Sequence, residues 1–144
     1  MRCVLDTNIV LSGMLWTGSP RRIWTAAQHG EIELFTSAAL IKELRDVLSR
    51  SKCAMRLAEV GFSAGHLMKL YSNVATLLDP SLVPRLAPDP DDDVVIGTAL
   101  AAKADFIVTG DRTLLTVAGY EGVRIVSVSE ALDAIAQKAS HNKQ

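Results

Sequence analysis

Apolar residues recur along this chain with two different periods. Over 38–50, Leu40, Ile41, Leu44, Val47 and Leu48 follow the i, i+1, i+4, i+7, i+8 spacing of one helical face. Glu43 falls beside Val47 on the border of that face, where its carboxylate can reach a cleft without entering the core. The runs RCVLD (2–6), IELFTS (32–37), FIVTGD (106–111) and VRIVSV (123–128) have instead the length and β-rich character of buried strands. Around them the spacing predicts helices over about 20–29, closed by Gly30, over 38–50, opened by Ser37, and over 51–60. Further helices are predicted over 64–77, opened by Ser63, over 92–103, and over 130–138, opened by Ser129. This alternation implies βαβ units and a three-layer α/β/α sandwich with a mostly parallel central sheet. The proline-bearing stretch LDPSLVPRLAPDP (78–90) is too short and too apolar to link domains, so one domain over 1–144 is expected, with a disordered tail from about 139.

In such folds ligands bind beyond the carboxyl ends of the strands, and Asp6 and Asp111 both stand at such ends. Each is equally suited to cap the helix that follows it. In DPDDDVV (89–95), Asp91 suits an N-cap, while Asp92 and Asp93 suit the first helical turn through the helix dipole. Capping explains each acid singly and explains less well why two strand-end aspartates, a border glutamate and an acidic helix start occur together. Like charges a few ångströms apart do not all ionise without a cation. Oxygen ligands without histidine or cysteine suit Mg²⁺ or Mn²⁺ better than zinc. His29, His66 and His141 show neither HxxxH nor HExxH spacing, and His29, just before Gly30, reads as a helix C-terminal residue. Thr7, Asn8 and Thr109 add neutral groups that can hold a carboxylate or a water. A hard-metal carboxylate site can align water for attack on a phosphodiester and lower its pKa, which requires no side-chain nucleophile. The chain has neither GxSxG nor GxxxxGK[ST].

Charge alters this picture only in its distribution. The net charge of −1 argues against coating nucleic acid by bulk charge, yet residues 1–86 hold ten Lys/Arg against seven Asp/Glu, and residues 87–144 hold five against nine. A cluster at Arg45, Arg50, Lys52 and Arg56 could guide a polyanion toward the acidic half, or be a solvated helix face. Cys3 and Cys53 form no CxxC pair and read as reduced apolar residues. No apolar run approaches the roughly 20 residues of a membrane span, and the early aspartate argues against a secretory signal, so a cytoplasmic protein is expected.

Taken in order, VLDTNIVLSGMLWTGSP, FTSAALIKELRDVLSR and DPDDDVVIGTALAAKADFIVTGDRTLL resemble a PIN-domain protein over nearly the whole chain, to about residue 130. The resemblance is greatest to the bacterial PIN-family toxins of toxin–antitoxin systems, relatives of the VapC-type toxins. It implies a parallel α/β/α sandwich and Mg²⁺- or Mn²⁺-dependent ribonuclease activity. By position, the family acids fall on Asp6 in LDTN, Glu43 in IKEL, Asp92, and Asp111 in TGD, which the resemblance makes both catalytic and metal-binding, with Thr7, Asn8 and Thr109 as supporting polar residues. Periodicity does not choose between Asp92 and Asp93; the family spacing to TAL favours Asp92 and leaves Asp93 as an additional candidate. Many relatives carry another acid two residues after the TGD aspartate, where this chain has Thr113, which puts a second ion in question. The segment 51–80, which borders the substrate groove in such domains, carries no recognisable specificity signal. The implied partners are an RNA substrate, a cognate antitoxin protein and a second copy in a homodimer. Two alternatives stand beside this reading. One is a catalytically silent PIN scaffold that binds RNA or protein. The other is a receiver-type signalling domain, for which the phosphoacceptor aspartate and the late lysine are missing.

Overall fold

Val4, with its neighbours Cys3 and Leu5, shows why the first strand is continuously apolar. In β1 (Arg2–Leu5), Cys3 and Leu5 enter one buried cluster and Val4 enters the cluster on the other face of the sheet. The computed structural model describes residues 1–142. Its elements continue as α1 (Thr7–Leu15), α2 (Ser19–Gln28), β2 (Glu33–Thr36), α3 (Ala38–Leu48), α4 (Ser51–Val60), α5 (Ala64–Val74), β3 (Ala75–Leu77), α6 (Pro90–Ala102), β4 (Phe106–Val108), α7 (Arg112–Leu115), β5 (Gly119–Tyr120), β6 (Val123–Val126) and α8 (Val128–Asn142). The described residues form a sheet in the order β3-β2-β1-β4-β6-β5, parallel except for the β5–β6 pair. The same two-sided burial recurs in β4, where Phe106 and Val108 face the first cluster and Ile107 faces the second. Residues of α1, α2, α3, α4, α5 and α8 share the first cluster, while α6 and α7 supply Val95, Ile96, Ala99 and Leu114 to the second. The α/β/α sandwich with a mostly parallel sheet is therefore as expected.

The chain leaves β1 toward β2 and β3 on one side, and later fills β4 and β6 on the other. This reversal leaves a crevice between the carboxyl ends of β1 and β4, the usual place for a ligand in an open α/β sheet. The amide of Asp6 donates to the Val108 carbonyl at 3.0 Å, which ties the two strand ends together at that point. Helix α6 is seated beside it by a close approach. A Cβ at Gly97 would collide with the carbonyl oxygen of Ser81, whose amide donates to the Gly97 carbonyl at 2.9 Å. Only a glycine lets the 78–89 segment lie this near the helix.

Several element boundaries differ from expectation. The helix predicted over 64–77 stops at Val74, and Ala75–Leu77 instead pair with Leu34–Thr36 as an edge strand. Helices α1 and α7 are the ones that Asp6 and Asp111 were suited to cap, although no bounds were predicted for them, and β5 had no predicted counterpart. Helix α6 begins at Pro90 with Asp89 as its N-cap, not Asp91: the Asp89 carboxylate accepts from the Asp91 amide at 2.9 Å, and proline suits the first helical position because it has no N–H to leave unpaired. Helix α8 opens one residue before Ser129. Ser127 and Glu130 exchange side-chain to backbone bonds at 3.2 Å, a capping box. Helix α8 runs through Asn142, and what remains of the expected disordered tail, residues 143 and 144, lies outside the described residues. Gly30 does adopt φ 75°, directly after the His29 C-cap, as the helix-closing reading requires.

Candidate functional site

Asp6 occupies the crevice because it is the first residue after β1 and the N-cap of α1. One carboxylate oxygen accepts from the Thr7 amide at 2.8 Å, and the other accepts from the Thr109 hydroxyl at 2.8 Å. Thr109 follows β4 and is 0% exposed. Its hydroxyl oxygen also accepts from the Asp111 amide at 3.0 Å, so one buried threonine sets the spacing between the two strand-end aspartates. Asp111 in turn caps α7, accepting from the Thr113 amide at 2.9 Å. Capping and site geometry are thus the same fact at both positions. The hydrogen bonds that end each helix also orient each carboxylate.

Asp6, Asn8, Ile9, Ser12, Glu43, Asp89, Asp91, Asp92, Gly110 and Asp111 line one open hollow of about 550 Å³. Of the candidates named from the sequence, the four acids and Asn8 meet there. Thr7 and Thr109 do not line it: Thr7 is buried and supports Asp6 through its amide, and Thr109 supports it through its hydroxyl. Asp93 lies elsewhere. It is 7% exposed, and one oxygen accepts from the Leu86 and Ala87 amides at 3.0 and 2.8 Å while the other meets Arg85 Nε at 3.1 Å. Asp93 therefore anchors the 85–87 backbone beneath the helix start, so its candidacy as a further ligand is corrected. Ser12 escaped the sequence reading, although Asn8 and Ser12 are four apart on α1 and share a face. Asp89 and Asp91, read from the sequence as turn and capping residues, also reach the hollow.

Asp92, half-buried at the start of α6, has its carboxyl pKa raised from 3.8 to about 6. Partial burial is the main cause, reinforced by the negative charges of Asp111, Asp89, Asp6 and Glu43. The acids thus lie within electrostatic range of one another and repel. Among the described residues, however, no three His, Cys, Asp or Glu side chains are drawn together tightly enough to form a metal cage. These observations agree physically, since uncompensated carboxylates around an open hollow have no reason to converge. The donor set is all oxygen and rich in negative charge, so its chemistry fits a hard divalent cation.

The basic cluster divides on folding. Arg56 donates to the Leu15 carbonyl at 2.7 Å and pairs with Glu59, and Lys52 stands 5.5 Å from the centroid of the Trp16 ring. Arg50 alone of the four lines a second hollow, of about 420 Å³, shared with Ala39, Leu40, Lys42, Glu43, Asp46, Asp91 and Val94. The segment 51–80 supplies no lining residue to either hollow. Both cysteines are free and buried, and burial raises the Cys3 thiol to about 12, in keeping with a reduced, unreactive role.

A sequence model of the PIN domain matches residues 2–113, which contain every acid of the hollow. The chain belongs to the PIN-domain family. PIN domains are generally nucleases that bind RNA and use divalent metal ions, and membership of this family displaces the receiver-type alternative. It is also similar to the uncharacterized protein MJ1680 of Methanocaldococcus jannaschii, 26% identical over 122 residues, which cover 81% of this chain and 75% of that protein. No helix among the described residues of this PIN domain is long and apolar enough to cross a membrane.

Proposed function

We propose that this PIN domain is an endoribonuclease dependent on Mg²⁺ or Mn²⁺, with Asp6, Glu43, Asp92 and Asp111 as the catalytic, metal-holding acids. The observation that carries the reading is the single hollow these four share although they come from four separate segments, together with the upward shift of Asp92 that their charges reinforce. When bound, a divalent cation supplies a lowered water pKa and offsets charge on the leaving oxygen. The chain's own residues do the positioning. Thr109 holds Asp6 and the Asp111 backbone at fixed separation, and the caps of α1 and α7 orient their carboxylates. Glu43 reaches in from the exposed border of α3, and Asn8 and Ser12 present neutral polar groups toward an incoming phosphate.

In this reading the protein is the toxin of a toxin–antitoxin pair, a cytoplasmic homodimer neutralised by an antitoxin protein that covers the hollow, and residues 1–144 act as one domain. Purified protein should cleave RNA only when Mg²⁺ or Mn²⁺ is added. Full activity in Asp6→Asn/Asp92→Asn would remove the mechanism. Growth arrest on expression, relieved by the product of a small neighbouring reading frame, tests the toxin role separately, and mass measurement in solution tests the dimer. The open spacing of the acids favours one rival, a silent PIN scaffold that binds RNA or protein without cutting. Failure of Mn²⁺ to bind at the hollow would select that rival.

A further inference from the structure

Helix α3 carries a feature that the acid hollow does not use. Ala39, Lys42, Glu43 and Asp46 recur at helical spacing along one side, and Arg50 continues that line just past the helix end. All five line the second hollow, which meets the acidic one at Glu43 and Asp91, common to both. The two hollows therefore adjoin, and the second carries Lys42 and Arg50 with Asp46 between them in sequence. Both cations are exposed, and among the described residues neither is held by a carboxylate. Ion pairs among the described residues join Arg56 to Glu59 and Arg85 to Asp93, although Asp46 lies four positions from both Lys42 and Arg50. Unpaired cations beside an anionic site are what a polyanion requires: the acids repel its phosphates unless other groups hold the neighbouring ones. Lys42 adjoins Glu43, and Arg50 lies seven positions beyond Glu43, past the end of α3.

We infer that the hollow along α3 is the track for the RNA strand flanking the cut, with Lys42 and Arg50 as positioning residues that hold its phosphates. The inference rests on the proposed ribonuclease reading for its ligand, but it concerns binding and not the chemistry. Arg50 takes the more distant phosphate, where its planar fork can make two parallel bonds, and Lys42 acts as a point charge beside the acids. Asp46 stands among them and opposes the strand. Leu40 and Val94, which line the same hollow, provide an apolar wall against which bases can lie.

The test is binding of a fluorescent single-stranded RNA by the full chain, without divalent cations so that no cleavage occurs, at several salt concentrations. It is repeated in an Asp6→Asn/Asp92→Asn background that lowers the repulsion. Lys42→Ala and Arg50→Ala should each raise Kd roughly three- to tenfold and reduce the slope of log affinity against log salt by about 0.7. Asp46→Asn should tighten binding, an opposite sign that a purely structural role for α3 does not produce. Lys69→Ala, an exposed α5 cation away from both hollows, should leave Kd unchanged. Unchanged Kd and slope in Lys42→Ala and Arg50→Ala, or no RNA binding by either background at low salt, overturns the inference. Metal-dependent cleavage surviving that result would leave the ribonuclease reading standing, while binding along the track without cleavage under Mn²⁺ would remove that reading and keep the track.

Discussion

Asp92 and Asp93 are neighbours in the first turn of α6, yet one faces the open hollow and the other faces the buried side of the 85–87 backbone. Partial burial raises the Asp92 carboxyl to about 6, reinforced by the negative charge the hollow gathers around it with no cation among its lining residues. The buried side supplies Asp93 with two backbone amides and an arginine. The same side-chain chemistry, one residue apart, is therefore left unsatisfied in one region and satisfied in the other. A carboxylate left in repulsion is available to a cation, whereas one with its acceptors filled is part of the framework. Here the framework acid holds the loop that leads into the helix presenting the available one.

The contrast breaks most sharply in catalysis. Asp92→Asn should lower RNA cleavage by roughly a hundredfold or more, on the scale of losing a group that acts in the transition state, while melting shows the fold intact. Asp93→Ala should do the reverse. Leaving the Leu86 and Ala87 amides without their acceptor costs about 2–3 kcal/mol, read as a fall in Tm of roughly 5–10 °C. Activity below that melting range should change far less than in Asp92→Asn.

A smaller effect concerns pH. The folded pKa of Asp92 lies above its unfolded value, so between about 4 and 6 the folded state binds more protons and stability declines as pH rises through that window. Because the carboxyl is partly exposed, solvent screening holds the effect to about 1 kcal/mol. In cation-free protein Asp92→Asn should therefore melt higher than the parent at pH 7–8 and equally at pH 4, and added Mn²⁺ should stabilise the parent more than the variant. Equal melting at both pH values would show that Asp92 is not under the repulsion described. The smallest expected change is in Arg85→Ala. The Arg85 side chain is 66% exposed, so its loss should cost about 0.5 kcal/mol, since the two amides carry most of the anchoring of Asp93.

How much of this was legible beforehand depended on the range of the interactions involved. The strands at 2–6, 32–37, 106–111 and 123–128 could be read because two-faced burial demands continuous apolar β-formers. The amphipathic α3 could be read because one face is solvated, and with it the border position of Glu43. Ala75–Leu77 were not legible as a strand. They follow a helical pattern without a break, and only pairing with β2 makes them extended. Helix α6 was the harder case, because Asp93, Val95, Ile96, Gly97, Thr98, Ala99 and Ala102 are all buried and no polar stripe marks which acid points outward.

By itself, then, the sequence determined the α/β alternation, the strand-end positions of Asp6 and Asp111 and the acidic start of α6, since each follows from local propensity, burial period and capping chemistry. The anchoring of Asp93 to the 85–87 backbone, the bridging of Asp6 to Asp111 by Thr109 and the adjacency of the acid hollow to the one lined by Lys42 and Arg50 were decided only in the tertiary structure. Each of these depends on which backbone amides and charges other segments bring within a few ångströms, and no local pattern encodes that.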